Sequence, residues 1–451
     1  MKVWTFVHNP LEYWLDDYKR IFDAWHDGGM RGIVIGRMFF QQDDGTQIPT
    51  YRADPECYKA LGVPPPPDAP TDPAKEKRFH AMLDDAAARN WHIMIFGGSL
   101  PQEGRLPVEQ DPYGAISGAA SALDLVRAYP QVHGRIIDGP GENHYELAFH
   151  HGGEVFEIRA HERPMFEYMG LDIARIERGI AHLRQRFHNL TPDLVRYHAA
   201  GGTLAGLILF DINEDVLYWL RARQEKTIAS MTAVRAELDK LDRKIEIGGI
   251  PRTAAFSPLT GQNYQRLGPV LDYIFPKHYF WHRGFDGMYG TISRWVQRIA
   301  QWNPSLAERD CFAVVKALLG IDLPRINALT DMDEIGFPEE FFSEIAYGET
   351  KRALEAVGDD DKVICWVDTG RNSHAGDQMP PTDLYRILQA CQRAGLKRFV
   401  HHSSVHMGAA EWRIISRMCG NMWDENPAGY WPPGTQKPTD FNGGRTPPPQ
   451  D

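Results

Sequence analysis

The chain has 451 residues, 43% hydrophobic and 24% charged, which is ordinary globular composition with length for a large core, so disorder is not the default reading. Its 60 acidic residues outnumber 49 basic ones, giving a formal charge of -11, and no basic block or nucleic-acid motif offsets this; a phosphate-backbone partner is not expected. No apolar run is long enough to span a bilayer, and "MKVWTFVHNP" lacks the basic and apolar regions of a leader.

The expectation is therefore a soluble protein, cytoplasmic as given, or secreted or periplasmic if a leader has been removed. Cys57, Cys311, Cys365, Cys391 and Cys419 are scattered, without a C-x-x-C pair, and read as free thiols. The 12 Trp and 17 Tyr suit sugar faces as well as cores. Asn189 heads a glycosylation sequon, a triplet common by chance.

In chain order, short apolar runs rich in β-branched and aromatic residues fall at 3–7, 32–38, 92–98, 134–139, 245–250, 272–279, 363–370 and 398–404, with helical patterns between them. Such alternation implies parallel βα units, and near-continuous apolar runs fit strands buried on both faces. A ninth run, "LILFDIN" at 207–213, carries apolar residues at helical spacing from Leu204 to Leu220 and runs into "YWLRARQEKTIASMTAVRAELDKL", so it is assigned to one long helix. Eight strands remain, predicting an α/β fold, a (β/α)8 TIM barrel over residues 1–425. Long βα-loop insertions are expected at about 41–74, 147–171 and 303–340, each after a strand's carboxyl end, the functional face of such a barrel. Residues 426–451 form a Pro/Gly-rich tail.

The stretch "GRIIDGPGENHYE" places Asp138 at the end of the fourth strand and Glu142 beyond a Gly-Pro-Gly turn. The turn should keep both carboxyls at the barrel mouth, where such a pair can supply a general acid with a nucleophile or base. The plain alternative is that Asp138 caps the next segment and Glu142 is solvated.

The order "AYPQVHGRIIDGPGE" resembles the fourth βα unit of (β/α)8 glycoside hydrolases and glycoside-hydrolase-like barrels. "VWTFVHN" is similar to their first strand, "LDYIFPKHYFW" to their sixth with its P-x-x-Y, and "TDLYRILQACQRAGLKRFVHHSS" to their last helix-strand unit. The resemblance covers roughly residues 2 to 418 and points to no numbered family. It implies a catalytic carboxylate at Asp138 or Glu142; the usual Asn-Glu order is reversed in Glu142-Asn143, which leaves that choice open and makes Asn143 a substrate-binding candidate. It also implies a partner near the end of strand seven, where "WVDTGRN" offers Asp368.

Around the same face, His8, Asn9, Arg37, Arg252, Lys277, His278, Trp281, Arg371, Asn372, His401 and His402 interleave polar and aromatic groups, as an open polyol cleft requires. Each could equally be a satisfied structural residue. The doublets His150-His151 and His401-His402 cannot each give two ligands to one ion, because adjacent strand residues point to opposite faces. With no H-e-x-x-H, G-x-S-x-G, G-x-G-x-x-G or Walker pattern, no metal, serine nucleophile or nucleotide cofactor is expected.

The leading expectation is a hydrolase cleaving a glycosidic bond of an oligosaccharide or polysaccharide, with Asp138 or Glu142 at working distance from Asp368 across one cleft. A metal-dependent barrel hydrolase or isomerase and a non-catalytic carbohydrate-binding barrel are the alternatives.

Overall fold

Strands form where the β-branched and aromatic runs lie. In the computed structural model, which describes residues 1–8, 10–97, 104–141, 155–280, 287–368, 380–402 and 408–423, they are β1 (Lys2–Val7), β2 (Met30–Ile35), β3 (Phe39–Gln41), β4 (Gln47–Pro49), β5 (His92–Phe96), β6 (Gly134–Asp138), β7 (Glu246–Ile250), β8 (Tyr273–Ile274), β9 (Lys277–His278), β10 (Ile364–Val367) and β11 (Arg398–His401). β3 and β4 form a separate antiparallel hairpin. The other nine make one parallel sheet in the order β8-β7-β6-β5-β2-β1-β11-β10-β9.

The two ends of that order are halves of one strand. Only Phe275 and Pro276 separate β8 from β9, and both sides of the break are bonded: Phe275 N donates to Gly249 O at 2.8 Å, and Trp366 N donates to the Pro276 carbonyl at 2.8 Å. Ile274 N also donates to Lys362 O at 2.8 Å. Proline cannot donate to the ladder, so it marks the break while its carbonyl still serves the neighbouring strand. The sheet thereby closes on itself as the expected eight-stranded (β/α)8 barrel.

Alternate residues of the strands fill the barrel. Trp4, Phe6, Val34, Met94, Ile136, Ile250, Phe275, Ile364, Trp366 and Val400 form one buried interior cluster. Gly32 and Gly248 make room for its largest rings: a Cβ on Gly32 would lie 2.7 Å from the Trp4 ring, and one on Gly248 2.5 Å from Phe275. At the amino ends of the strands, His92 Nε2 pairs with Glu246 Oε2 at 2.6 Å and Trp4 stacks on His92 at 4.9 Å. That end is plugged, which leaves the carboxyl ends as the open face.

One expected element is corrected. The long helix predicted through 207–213 is two helices, Gly202–Leu209 and Glu214–Leu238. Asp211 takes a left-handed φ of 50°, and the Asn213 side chain caps the second helix by accepting from Asp215 N at 3.1 Å and Val216 N at 2.9 Å. The assignment of this segment away from the barrel holds, since Phe210 packs on Phe187 and pairs with no strand. Among the described residues, four further helices stand between β6 and the long helix, Arg163–Tyr168, Ile173–Phe187, Pro192–His198 and Gly202–Leu209, so the elaboration after β6 runs well beyond residue 171. Among the described residues no helix is long and apolar enough to cross a membrane.

Candidate active site

Continuing the alternation of the interior cluster by two residues places one side chain from most strands at the open mouth. Phe6 leads to His8, Ile136 to Asp138, Ile250 to Arg252, Phe275 to Lys277 and Tyr279, Trp366 to Asp368, and Val400 to His402. Closure of the barrel brings these together although they span most of the chain.

On one side, Lys277 Nζ lies 2.9 Å from Asp138 Oδ1, reaching past β7 to the end of β6. The lysine side chain is 4% exposed and the aspartate 46%, so a buried ammonium holds a carboxylate that still faces solvent. On the other side, Asp368 Oδ2 lies 2.5 Å from His402 Nδ1, with the aspartate side chain wholly buried and the histidine 22% exposed. An ionised carboxylate only accepts, so in this bond His402 Nδ1 is the donor.

Tyr279 lies between the two pairs. Its ring stacks on His402 at 5.5 Å with an interplanar angle of 21°, and Lys277 Nζ stands 5.9 Å from the ring centroid. His8 Nε2 bonds the His402 carbonyl at 2.7 Å, fixing the end of β1 to that of β11. Beneath lie Phe6, Phe96 and Trp366, with ring centroids 5.2 to 5.8 Å apart. This apolar floor shields the polar groups from below and strengthens their interactions.

Asp138, Arg37 and Arg252 line a cleft of about 2220 Å³. It runs outward across the end of β6 and between the helices Ala115–Ala128 and Glu214–Leu238, where Tyr51 and Tyr113 lie along the wall. The long helix is fixed to this wall at two points: Thr227 Oγ1 donates to Gly141 O at 3.0 Å, and Lys226 Nζ pairs with Glu162 at 2.5 Å with both side chains buried. Burial works against the Glu162 carboxylate, but the Lys226 ammonium outweighs it and holds the carboxyl below its usual range.

Two of the expected substrate-binding residues lie behind the barrel wall. His278 and His401 alternate with the inward Lys277 and His402, and both are buried at 1% and 0% exposure. His278 Nε2 meets Thr350 Oγ1 at 3.0 Å and Cys365 Sγ at 3.4 Å, and burial pushes its imidazole down to about 3. Neither reaches the mouth. Asn9, Glu142, Asn143, Trp281, Arg371 and Asn372 lie outside the described residues. Sequence reasoning missed Tyr279, for which the two-residue spacing from Lys277 was the available signal. Among the described residues, no three His, Cys, Asp or Glu side chains come together as a metal-ligand group.

No family model and no curated protein matches the chain. Solved structures similar to it include the glycoside hydrolase domain of PgaB (BpsB) from Bordetella bronchiseptica, at 10% identity over 92% of this chain and 99% of that one, with a TM-score of 0.46. A GH18 chitinase from Pseudoalteromonas aurantia matches at 9% identity over 94% of this chain and 100% of its own, with a TM-score of 0.37. A β-galactosidase from Marinomonas ef1 matches at 10% identity and a TM-score of 0.46 over 93% of this chain, which spans 59% of the galactosidase. The assignment of the barrel rests on this chain's own strand pairing.

Proposed function

We propose that the chain is a carbohydrate-active hydrolase that cleaves a glycosidic bond at the carboxyl ends of its barrel strands. The observation that carries this reading is the Asp138 carboxylate, half exposed to a cleft with room for several sugar units and held by the buried Lys277. Paired with an ammonium, Asp138 is an acceptor, the property of a nucleophile or of a base that activates water. The complementary proton transfer falls to His402, with Asp368 acting through it as a positioning residue instead of directly. Glu142, four residues beyond Asp138, is the alternative proton donor in the same reading. Arg37 and Arg252 on the cleft wall are the substrate-binding groups best supported by position.

The test is reducing-end release from a panel of neutral and charged oligosaccharides. Asp138→Asn is expected to lower kcat roughly a hundred- to ten-thousand-fold while the protein stays folded. Undiminished turnover in Asp138→Asn would overturn the assignment. Oligosaccharide binding without release by the unaltered protein would instead indicate a non-catalytic carbohydrate-binding barrel.

A further inference from the structure

Two segments that wall the cleft meet through a pair of tyrosines. Tyr113 lies just before the helix Ala115–Ala128, and Tyr168 ends the helix Arg163–Tyr168 of the insertion after β6. Their ring centroids are 5.7 Å apart at an interplanar angle of 86°. Such an edge-to-face contact covers at most one face of one ring, and Tyr168 remains 65% exposed. Tyr113 and Met165 both line the cleft, and Met165 precedes Tyr168 by three residues of one helix, which puts both on the same helix face. The pair also belongs to the functional end of the barrel. The helix after β5 runs back against its strand, so it begins at the carboxyl ends, beside Tyr113.

Both rings are held in place by the chain itself. Asp111 accepts from Ala115 N at 2.7 Å, Ser117 N at 2.9 Å and Ile116 N at 3.2 Å, which fixes the turn that carries Tyr113. The helix of Tyr168 is seated by the buried Phe166 and by the Lys226–Glu162 pair at its start. A tyrosine so placed offers a large flat contact at low cost in side-chain freedom. The insertion at 41–74 adds Pro65, Pro66 and Pro67 to the wall, rings that are rigid and uncharged. Surfaces of this kind recognise shape and apolar C–H faces, which a pyranose ring presents, and the phenol edge stays wet. The cleft volume, about 2220 Å³, exceeds the roughly 300–1,000 Å³ typical of a small-ligand pocket, so there is room for sugar units beyond the one at Asp138.

We infer that Tyr113 and Tyr168 form a distal stacking subsite, which holds one sugar unit of an oligosaccharide whose scissile bond lies at Asp138 and so selects for chain length. The inference rests on the carbohydrate reading above and adds chain-length selection to it.

The experiment measures binding by calorimetry, and reducing-end release, on the full chain with neutral β-linked oligosaccharides of glucose, galactose and N-acetylglucosamine, each a series of about two to six units. For at least one sugar, affinity is expected to rise about three- to tenfold from the shortest member to the longest. Tyr168→Ala should remove most of that rise and leave the shortest member bound as before, since the Tyr168 ring packs only on Tyr113 among the described residues. Tyr168→Phe keeps the ring face and should keep the rise. Equal affinity for short and long members, a rise that survives in Tyr168→Ala or is lost in Tyr168→Phe, an equal loss for short and long members, or no binding of any series overturns the inference. Reducing-end release that depends on Asp138 would still leave the hydrolase reading standing. A rise that depends on Tyr168, without reducing-end release, does the reverse.

Discussion

Asp368 was expected to meet the substrate itself, but its side chain is wholly buried and its Oδ2 lies against His402 Nδ1, which places it to act on the imidazole. Groups acting as one unit do not lose activity additively. His402→Gln and Asp368→Asn should therefore each lower kcat by roughly a hundredfold or more, and the double variant should fall little below the worse single one. Steady-state kinetics on the three variants provide the check, and multiplicative losses would show two independent roles. A second residue-scale prediction concerns His278, behind the wall. Its folded pKa of about 3 lies below the ordinary 6.5, so at intermediate pH the unfolded chain binds a proton that the folded chain refuses. The stability this contributes is complete above about pH 6.5 and is lost as pH falls toward 3. Urea midpoints should drop between pH 7 and pH 4.5, and His278→Gln should flatten part of that slope.

At the scale of elements, the barrel interior depends on pairing glycine with aromatic residues on neighbouring strands. The Cβ of Gly248→Ala would sit 2.5 Å from Phe275 on the strand following β7 and 3.1 Å from Ile136 on β6. Overfilling a packed core costs about 1–3 kcal/mol. Phe275→Leu in the Gly248→Ala background should recover part of this, with a coupling energy of about 0.5–3 kcal/mol from denaturant titrations of the four proteins. Absence of coupling would mean that the interior yields elsewhere. The turn at Phe210–Asn213 offers a smaller test, since Asn213→Ala removes two cap bonds at the start of the long helix and should cost about 1 kcal/mol.

At the scale of the molecule, the Lys226–Glu162 pair clasps the insertion after β6 to the long helix that walls the cleft. Removing one charge of a buried pair leaves the other uncompensated, a loss of about 3–5 kcal/mol, whereas replacing both with apolar groups of similar size is often nearly neutral. Glu162→Gln should lower the unfolding midpoint sharply, and Glu162→Leu with Lys226→Met should restore most of it. If Glu162→Gln proves harmless, the clasp does not hold the wall.

Local pattern was enough to locate all eight barrel strands, to end β6 at Asp138 and to keep 207–213 out of the sheet, because those features depend on runs, breakers and periodicity within a few residues. It could not expose the cap at Asn213 within an otherwise continuous helical pattern, nor which member of Lys277-His278 or His401-His402 faces inward. In a parallel barrel both faces of each strand are buried, so Phe399 on the outside and Val400 on the inside are equally apolar and hydropathy carries no sign of direction. Once closure sets that direction, Lys277 meets Asp138 and His402 meets Asp368 across large separations in sequence. Residue identities could nominate Asp138 and Asp368; only tertiary structure decided that one faces the cleft beside an ammonium and the other is buried behind an imidazole, since each partner comes from a different strand.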